Sequence, residues 1–180
     1  VMQVFGGEGG ITRAALGRGM TAVQVIDRKY GWDLTRKADL DQTYSLYYGL
    51  RPRFVSFELP CTDYTNITHL NYATPARKQL LRRKLQREKP CIHLARNIVM
   101  GQLAHGDIAM VENPATSRLW AQRDVQKLMA DDRLFAVRCD MCAFGATHVK
   151  TGKPIKHPTR LLVTHSEFFQ LEKKLSLIHI

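Results

Sequence analysis

Apolar and polar positions along this chain follow two periods that take turns. Short apolar runs at residues 2–5, 21–26, 53–59, 108–111, 134–139 and 160–164 read as strands, several of them bounded by Gly, Pro or Asp. Longer stretches at 12–19, 40–48, 75–102 and 122–129 carry the wider helical spacing, the third broken near Pro90, which has no N–H to donate. Residues 62–74 are polar and show no period, and 150–158 read as a basic loop. Strand and helix alternating in this way predict an α/β domain with a mostly parallel central sheet and helices on both faces. With no internal repeat and no low-complexity linker, one domain over residues 1–170 is expected.

Two local features add chemistry to that frame. Gly6-Gly-Glu-Gly-Gly10 sits between the first strand and the first helix, where glycines allow a tight turn and close approach of a ligand. Asp27 ends the next strand about 20 residues on, the spacing at which a carboxylate accepts from ribose hydroxyls in nucleotide-type cofactor sites. The dinucleotide pattern GxGxxG does not fit: counted from Gly7 the third position is Thr12, and counted from Gly6 the second is Glu8. The run fits Phe-x-Gly-x-Gly-Gly instead, through Phe5, Gly7, Gly9 and Gly10.

Composition narrows the partners. A net charge of +11 on 180 residues favours a polyanion, nucleic acid above all. Arg77, Lys78, Arg82, Arg83, Lys84, Arg87 and Lys89 crowd one segment, either a solvated helix face or a phosphate-contacting surface. No apolar run reaches the roughly 18–20 residues that cross a bilayer, and no signal pattern opens the chain, so an intracellular protein without a membrane partner is expected, nuclear if eukaryotic. Cys61, Cys91, Cys139 and Cys142 read as reduced thiols; Cys139-Asp-Met-Cys142 has no second ligand pair, so no metal is expected. A first strand opening at Val1 without an initiator Met is expected of a fragment. Residues 175–180, Leu-Ser-Leu-Ile-His-Ile, resemble a translated sequencing adapter and are set apart as a non-native tail.

The motifs, taken in order, resemble those of the cytosine-C5 DNA methyltransferases, a family of class I S-adenosylmethionine-dependent enzymes. The glycine turn is similar to the first motif. Phe57-Glu-Leu-Pro-Cys-Thr62 at a strand end is similar to the family's Pro-Cys motif, Val111-Glu-Asn-Pro114 to its Glu-Asn-Val motif, and Cys142-Ala-Phe-Gly145 with the following basic residues to a later aromatic-Gly turn. Asp33, in Trp32-Asp-Leu34, sits where the family carries an acid near the adenine. The resemblance implies a Rossmann-like class I fold over residues 2–165. It implies an S-adenosylmethionine site formed by Phe5, Gly7, Gly9, Gly10, Asp27, Asp33 and Pro60. Catalysis would rest on Cys61 as nucleophile, Glu112 as partner of the ring nitrogen N3, and Asn113 as a positioning residue. DNA would meet Arg82, Arg83, Lys84, Arg87, Lys156 and Arg160.

The chemistry explains the combination. A thiolate adding to C6 of cytosine turns C5 into an enamine carbon able to attack a methyl donor, and an acid at N3 assists the addition. The chain also departs from the pattern. Leu59 replaces the usual first proline, Pro114 replaces valine, and Lys156-His-Pro-Thr-Arg160 only loosely matches the Gln-x-Arg-x-Arg segment. No target-recognition region follows residue 165, and the last family motif is missing. Two other functions fit the same residues: a class I methyltransferase acting on RNA or another substrate, with Tyr64 stacking on a base, and a catalytically degraded nucleic-acid-binding module of a mobile-element polyprotein.

Overall fold

The computed structural model describes residues 1–155 and 157–172; Lys156 and the 175–180 tail lie outside the described residues. Five strands form one sheet: β1 (Met2–Val4), β2 (Phe54–Glu58), β3 (Ile108–Pro114), β4 (Phe135–Asp140) and β5 (Pro158–Val163). Their order across the sheet is β1-β2-β3-β5-β4. β1, β2 and β3 are mutually parallel. β5 runs antiparallel to both β3 and β4, so β4 points the same way as the first three. The result is a mixed α/β fold with a mostly parallel sheet, as the alternation of periods predicts.

Alternate residues of each strand divide the core in two. Val4, Val55, Phe57, Ala109 and Val111 face α2 (Lys37–Leu50), α4 (Pro75–His105) and α5 (Arg123–Met129), and carry the larger cluster with Leu94, Ile98 and Trp120. The opposite face shows Met110, Val137, Cys139, Leu161 and Val163, packed partly by Ile11 of α1 (Gly10–Leu16) and by Phe168. Burial on both faces is what a parallel sheet requires, and it explains the near-continuous apolar runs of β2 and β3.

Four expected elements come out differently. Residues 21–26 lie extended beside β1, with hydrogen bonds from Val23 N to Val1 O at 2.8 Å and from Ile26 N to Gln3 O at 3.0 Å, but form only one ladder bridge, Val4 to Ile26. The segment is an edge with a three-residue neighbour, too short to sustain a ladder. Helix α4 continues through Pro90. Proline forfeits one helical hydrogen bond, and the buried Cys91, Ile92, Leu94, Ala95, Ile98 and Val99 hold the second half of the helix on the sheet regardless. The stretch after Cys61 is not irregular: a 3-10 turn at Thr62–Tyr64 leads into α3 (Asn66–Asn71), capped by the Thr65 hydroxyl accepting from Thr68 N at 3.0 Å. Glu112, Asn113 and Pro114 belong to β3 itself rather than following it.

Ile98 is fully buried between α4 and the sheet, whereas Leu80 is exposed on the same helix. Ile98→Ala should lower the unfolding free energy by about 2–5 kcal/mol, and Leu80→Ala by no more than about 0.5 kcal/mol. Urea denaturation of both variants measures the contrast, and comparable losses would contradict this packing.

Candidate active site

Because β1, β2 and β3 are parallel, the segments leaving them emerge along one edge of the sheet. The glycine turn leaves β1 there. Gly9 is the N-cap of α1 at φ 70°, and a Cβ would stand 2.8 Å from Val25 Cγ2, so the position requires glycine. A Cβ on Gly6 would meet the Gln3 side chain at 2.4 Å. The Gly7 N–H donates to Asp27 Oδ2 at 3.1 Å, and Asp27 Oδ1 accepts from Lys29 N at 2.9 Å. The turn and the acid of the adjoining segment are therefore joined directly. Gly10 begins α1.

Phe5, Asp27, Asp33 and Pro60 line one cleft of about 300 Å³, together with Arg28, Thr35, Glu58, Glu88 and Cys91. Asp33 accepts from the Thr35 hydroxyl at 2.8 Å and N–H at 3.1 Å and from Arg28 at 3.0 Å. These bonds, the Thr35 hydroxyl foremost, bring its carboxyl down to about 2. Glu88 of α4 moves the other way: burial first and then the nearby Asp63 push it up to about 7. Four carboxylates and one guanidinium around a small cleft, in a chain of net charge +11, make it locally acidic.

Cys61 follows Pro60 and is half-buried. Burial pushes its thiol up, and the Glu112 carboxylate adds to the shift. The side chain of Glu112 lies on the α1 face of β3, in register with Glu58 on one side and Leu161 on the other. Burial, then the charge of Glu58, raises it to about 7. Asn113, fully buried on the opposite face, donates from Nδ2 to the Leu59 carbonyl at 2.6 Å. It thus ties the end of β3 to the residue just ahead of Pro60-Cys61. Glu58 and Glu112 also line a second cleft of about 590 Å³ with Gln3, Gly10, Met110, Cys139, Phe144 and His157; Glu58 is common to both clefts.

Of the candidate basic residues, all but Lys156 are described. Arg82, Arg83 and Arg87 are exposed on the first half of α4. Lys84 faces Asp63 at 3.5 Å and lies 5.5 Å from the centre of the Tyr72 ring. Arg160 is a strand residue whose guanidinium lies 5.3 Å from the centre of the Trp120 ring. Both have partners within the chain. Among the described residues no group of three or more His, Cys, Asp or Glu could hold a metal ion, and no helix is long and apolar enough to cross a membrane.

Sequence reasoning gave no role to Glu58, Gln3 or Glu88. Glu58 carried a signal, an acid at the inward-facing end of an apolar strand two residues before Pro60. Glu88 carried none, because its neighbours in sequence are solvated bases.

No protein-family model and no curated protein matches the chain. A solved structure of the Entamoeba histolytica methyltransferase EhMeth is similar over 90% of this chain and 51% of that one, at 15% identity and a TM-score of 0.47. The chain spans about half the length of that protein.

A carboxyl that holds its proton more tightly when folded binds more protons in the folded state between its two pKa values. Stability therefore falls as pH rises from the ordinary 4.5 to the folded value of about 7 at Glu88. Glu88→Gln removes this loss. The midpoint of the variant minus that of the parent should grow between about pH 4 and about pH 8. Thermal unfolding at both pH values tests it, and a constant difference would contradict the assignment.

Proposed function

We propose that this chain is the catalytic core of an S-adenosylmethionine-dependent methyltransferase acting on C5 of cytosine in DNA. The observation that carries the reading is convergence. The glycine turn and Pro60-Cys61 leave two parallel strands at the edge where Glu112 lies toward the end of a third, Asp27 is hydrogen-bonded to the turn, and Phe5, Asp27, Asp33 and Pro60 share one cleft. Glu112 lines the second cleft, and Glu58 borders both.

The cleft suits the cofactor chemically. S-adenosylmethionine is cationic at sulfur and at its amino group, and supplies an electrophilic methyl group when bound. Asp33, held ionised by its hydrogen bonds, and Asp27 line the cleft with carboxylates that complement this charge. Asp27 is held by the Gly7 and Lys29 N–H groups, and its carboxylate would accept from the ribose hydroxyls. In the reaction, the Cys61 thiol would give up its proton as its sulfur bonds to C6 of the target ring, and the electron pair released onto C5 would take the methyl group, the donor sulfur keeping the pair of the broken sulfur–methyl bond. Glu112 hydrogen-bonds N3 and stabilises the charge developing there. Loss of the C5 proton then expels the thiolate and restores the ring. Asn113 fixes the Leu59–Cys61 turn from beneath. A cytosine within a duplex must be turned out of the stack to reach this edge. The exposed basic half of α4 leads away from it and suits the phosphate backbone.

One observation favours a second reading. The Cys61 thiol is pushed up rather than down, and a nucleophilic cysteine works as the thiolate. A chain that binds cofactor and nucleic acid without this covalent step, whether an RNA methyltransferase or a degraded module, fits that setting.

Isothermal titration should show binding of S-adenosylhomocysteine, weakened tenfold or more by Asp27→Ala, or at least about 1.4 kcal/mol. No binding to the parent protein would remove the cofactor reading. Duplex DNA carrying 5-fluorocytosine should form a denaturation-resistant complex with the parent protein in the presence of cofactor, because fluorine at C5 blocks the final elimination. Cys61→Ser should abolish it. Cofactor binding without trapping would favour the second reading.

A further inference from the structure

Glu58 stands opposite Glu112 on the neighbouring parallel strand, both side chains on the α1 face. Register partners on adjacent strands lie about 4.8 Å apart, so two carboxylates meet here at the rim of the second cleft, and Glu58 also borders the first. Their surroundings differ in one decisive respect. Glu58 Oε1 accepts from Gln3 Nε2 at 2.7 Å. The Gln3 amide cannot turn over, because its Oε1 takes the Thr12 N–H at 2.9 Å. Gln3 is almost wholly buried, and Gly6 leaves it the room to lie there. Glu58 therefore faces a fixed donor, which favours its ionised form. Glu112 has no hydrogen-bond or ion-pair partner among the described residues, and it opens onto the second cleft.

We propose that Glu58 is a positioning residue which, held ionised by Gln3, keeps the single proton of the carboxylate pair on Glu112, so that Glu112 acts as a hydrogen-bond donor at neutral pH. The proposal deepens the reading above and rests on it for the identity of the acceptor, a ring nitrogen of the target base. Two adjacent carboxylates in a poorly solvated site cannot both ionise cheaply, and they titrate as a pair. Burial raises both groups; the Gln3 hydrogen bond works against the rise at Glu58, and the Glu58 charge adds to it at Glu112. The other titratable or charged groups near Glu112 among the described residues are Cys61 beyond β2, Asp27 behind Glu58, Cys139 and Asp140 of β4, and His157 ahead of β5. Arg160 lies in register with Asn113 on the other face, against Trp120.

A donor at this position discriminates between bases. A protonated Glu112 pairs with a ring nitrogen bearing a lone pair, as N3 of cytosine does, and not with the protonated N3 of thymine or uracil. Glu58 thereby contributes to the choice of substrate without touching it.

The test is a carbon-detected NMR titration of the glutamate side-chain carboxyls in the full chain, with Glu58 and Glu112 assigned by substitution. In the parent protein Glu112 should titrate near 7 and Glu58 below it. In Glu58→Gln the Glu112 midpoint should fall by about one unit or more. Gln3→Met should move the proton toward Glu58, and Glu112 should again titrate lower. A Glu112 midpoint unchanged in a folded Glu58→Gln variant, or a parent protein in which Glu58 holds the proton, overturns the proposal. The 5-fluorocytosine trap, run across pH, supplies the functional arm. Its high-pH limit should shift down in Glu58→Gln by the same amount as the Glu112 midpoint. If no trap forms in the parent protein, the cytosine-C5 reading fails while the titration still decides the pair.

Discussion

The buried amide of Gln3 can satisfy its hydrogen bonds in one way only, and the arrangement of the site follows from it. Its carbonyl takes the Thr12 N–H at the start of α1, and its NH2 group reaches Glu58 at the end of β2. One side chain thus joins β1, the first helix and the second strand at the edge where the segments converge. Gly6 must lack a Cβ for Gln3 to lie there, and Gly9 must lack one where the helix begins beside Val25. The glycines of this turn therefore serve the interior of the protein as much as any ligand above it. An unmade bond to a buried amide would cost about 1–3 kcal/mol, enough to hold the three elements in register.

Charge is distributed so that the two expected partners are kept apart. The chain is strongly basic overall, yet the small cleft beside the glycine turn gathers Asp27, Asp33, Glu58 and Glu88. The exposed arginines lie along the first half of α4, a helix of 31 residues that spans about 46 Å. Lys84 links the two regions, since it reaches back to Asp63 and Tyr72 near the loop that follows Cys61. A polyanion drawn to the helix and a cation drawn to the cleft would approach the same edge without competing.

How much of this was legible in the sequence depended on the range of the interaction. Strand runs, the glycine turn and Asp27 were legible because each is a local pattern, and the parallel order followed from the alternation of periods. The weak edge at residues 21–26 was not, because a strand is made by its neighbour, and β1 offers only three residues. The continuity of α4 through Pro90 was hidden for a similar reason, since burial of the second half of the helix outweighs one lost hydrogen bond. Motif order singled out Cys61, Glu112 and Asn113, but it could not show that Asn113 braces Leu59 from below, nor that Arg160 is engaged with Trp120. Glu58 lay in plain view within the Pro-Cys motif. Its meaning depends on a register partner 54 residues away, and register is not written in a single strand.

The reversed strand completes the setting of Glu112. β5 runs antiparallel between β3 and β4, so Leu161 stands in register with Glu112 and Thr159 with Pro114. Cys139 of β4 lines the cleft beyond them. Glu112 is therefore flanked by an apolar wall on one side and an anion on the other, and both disfavour its charge. A polar strand at the position of β5 would solvate the carboxylate and leave it an ordinary ionised acid. The fold achieves the opposite with common residues, by inserting one hydrophobic strand where it desolvates a carboxyl that has no hydrogen-bond partner among the described residues.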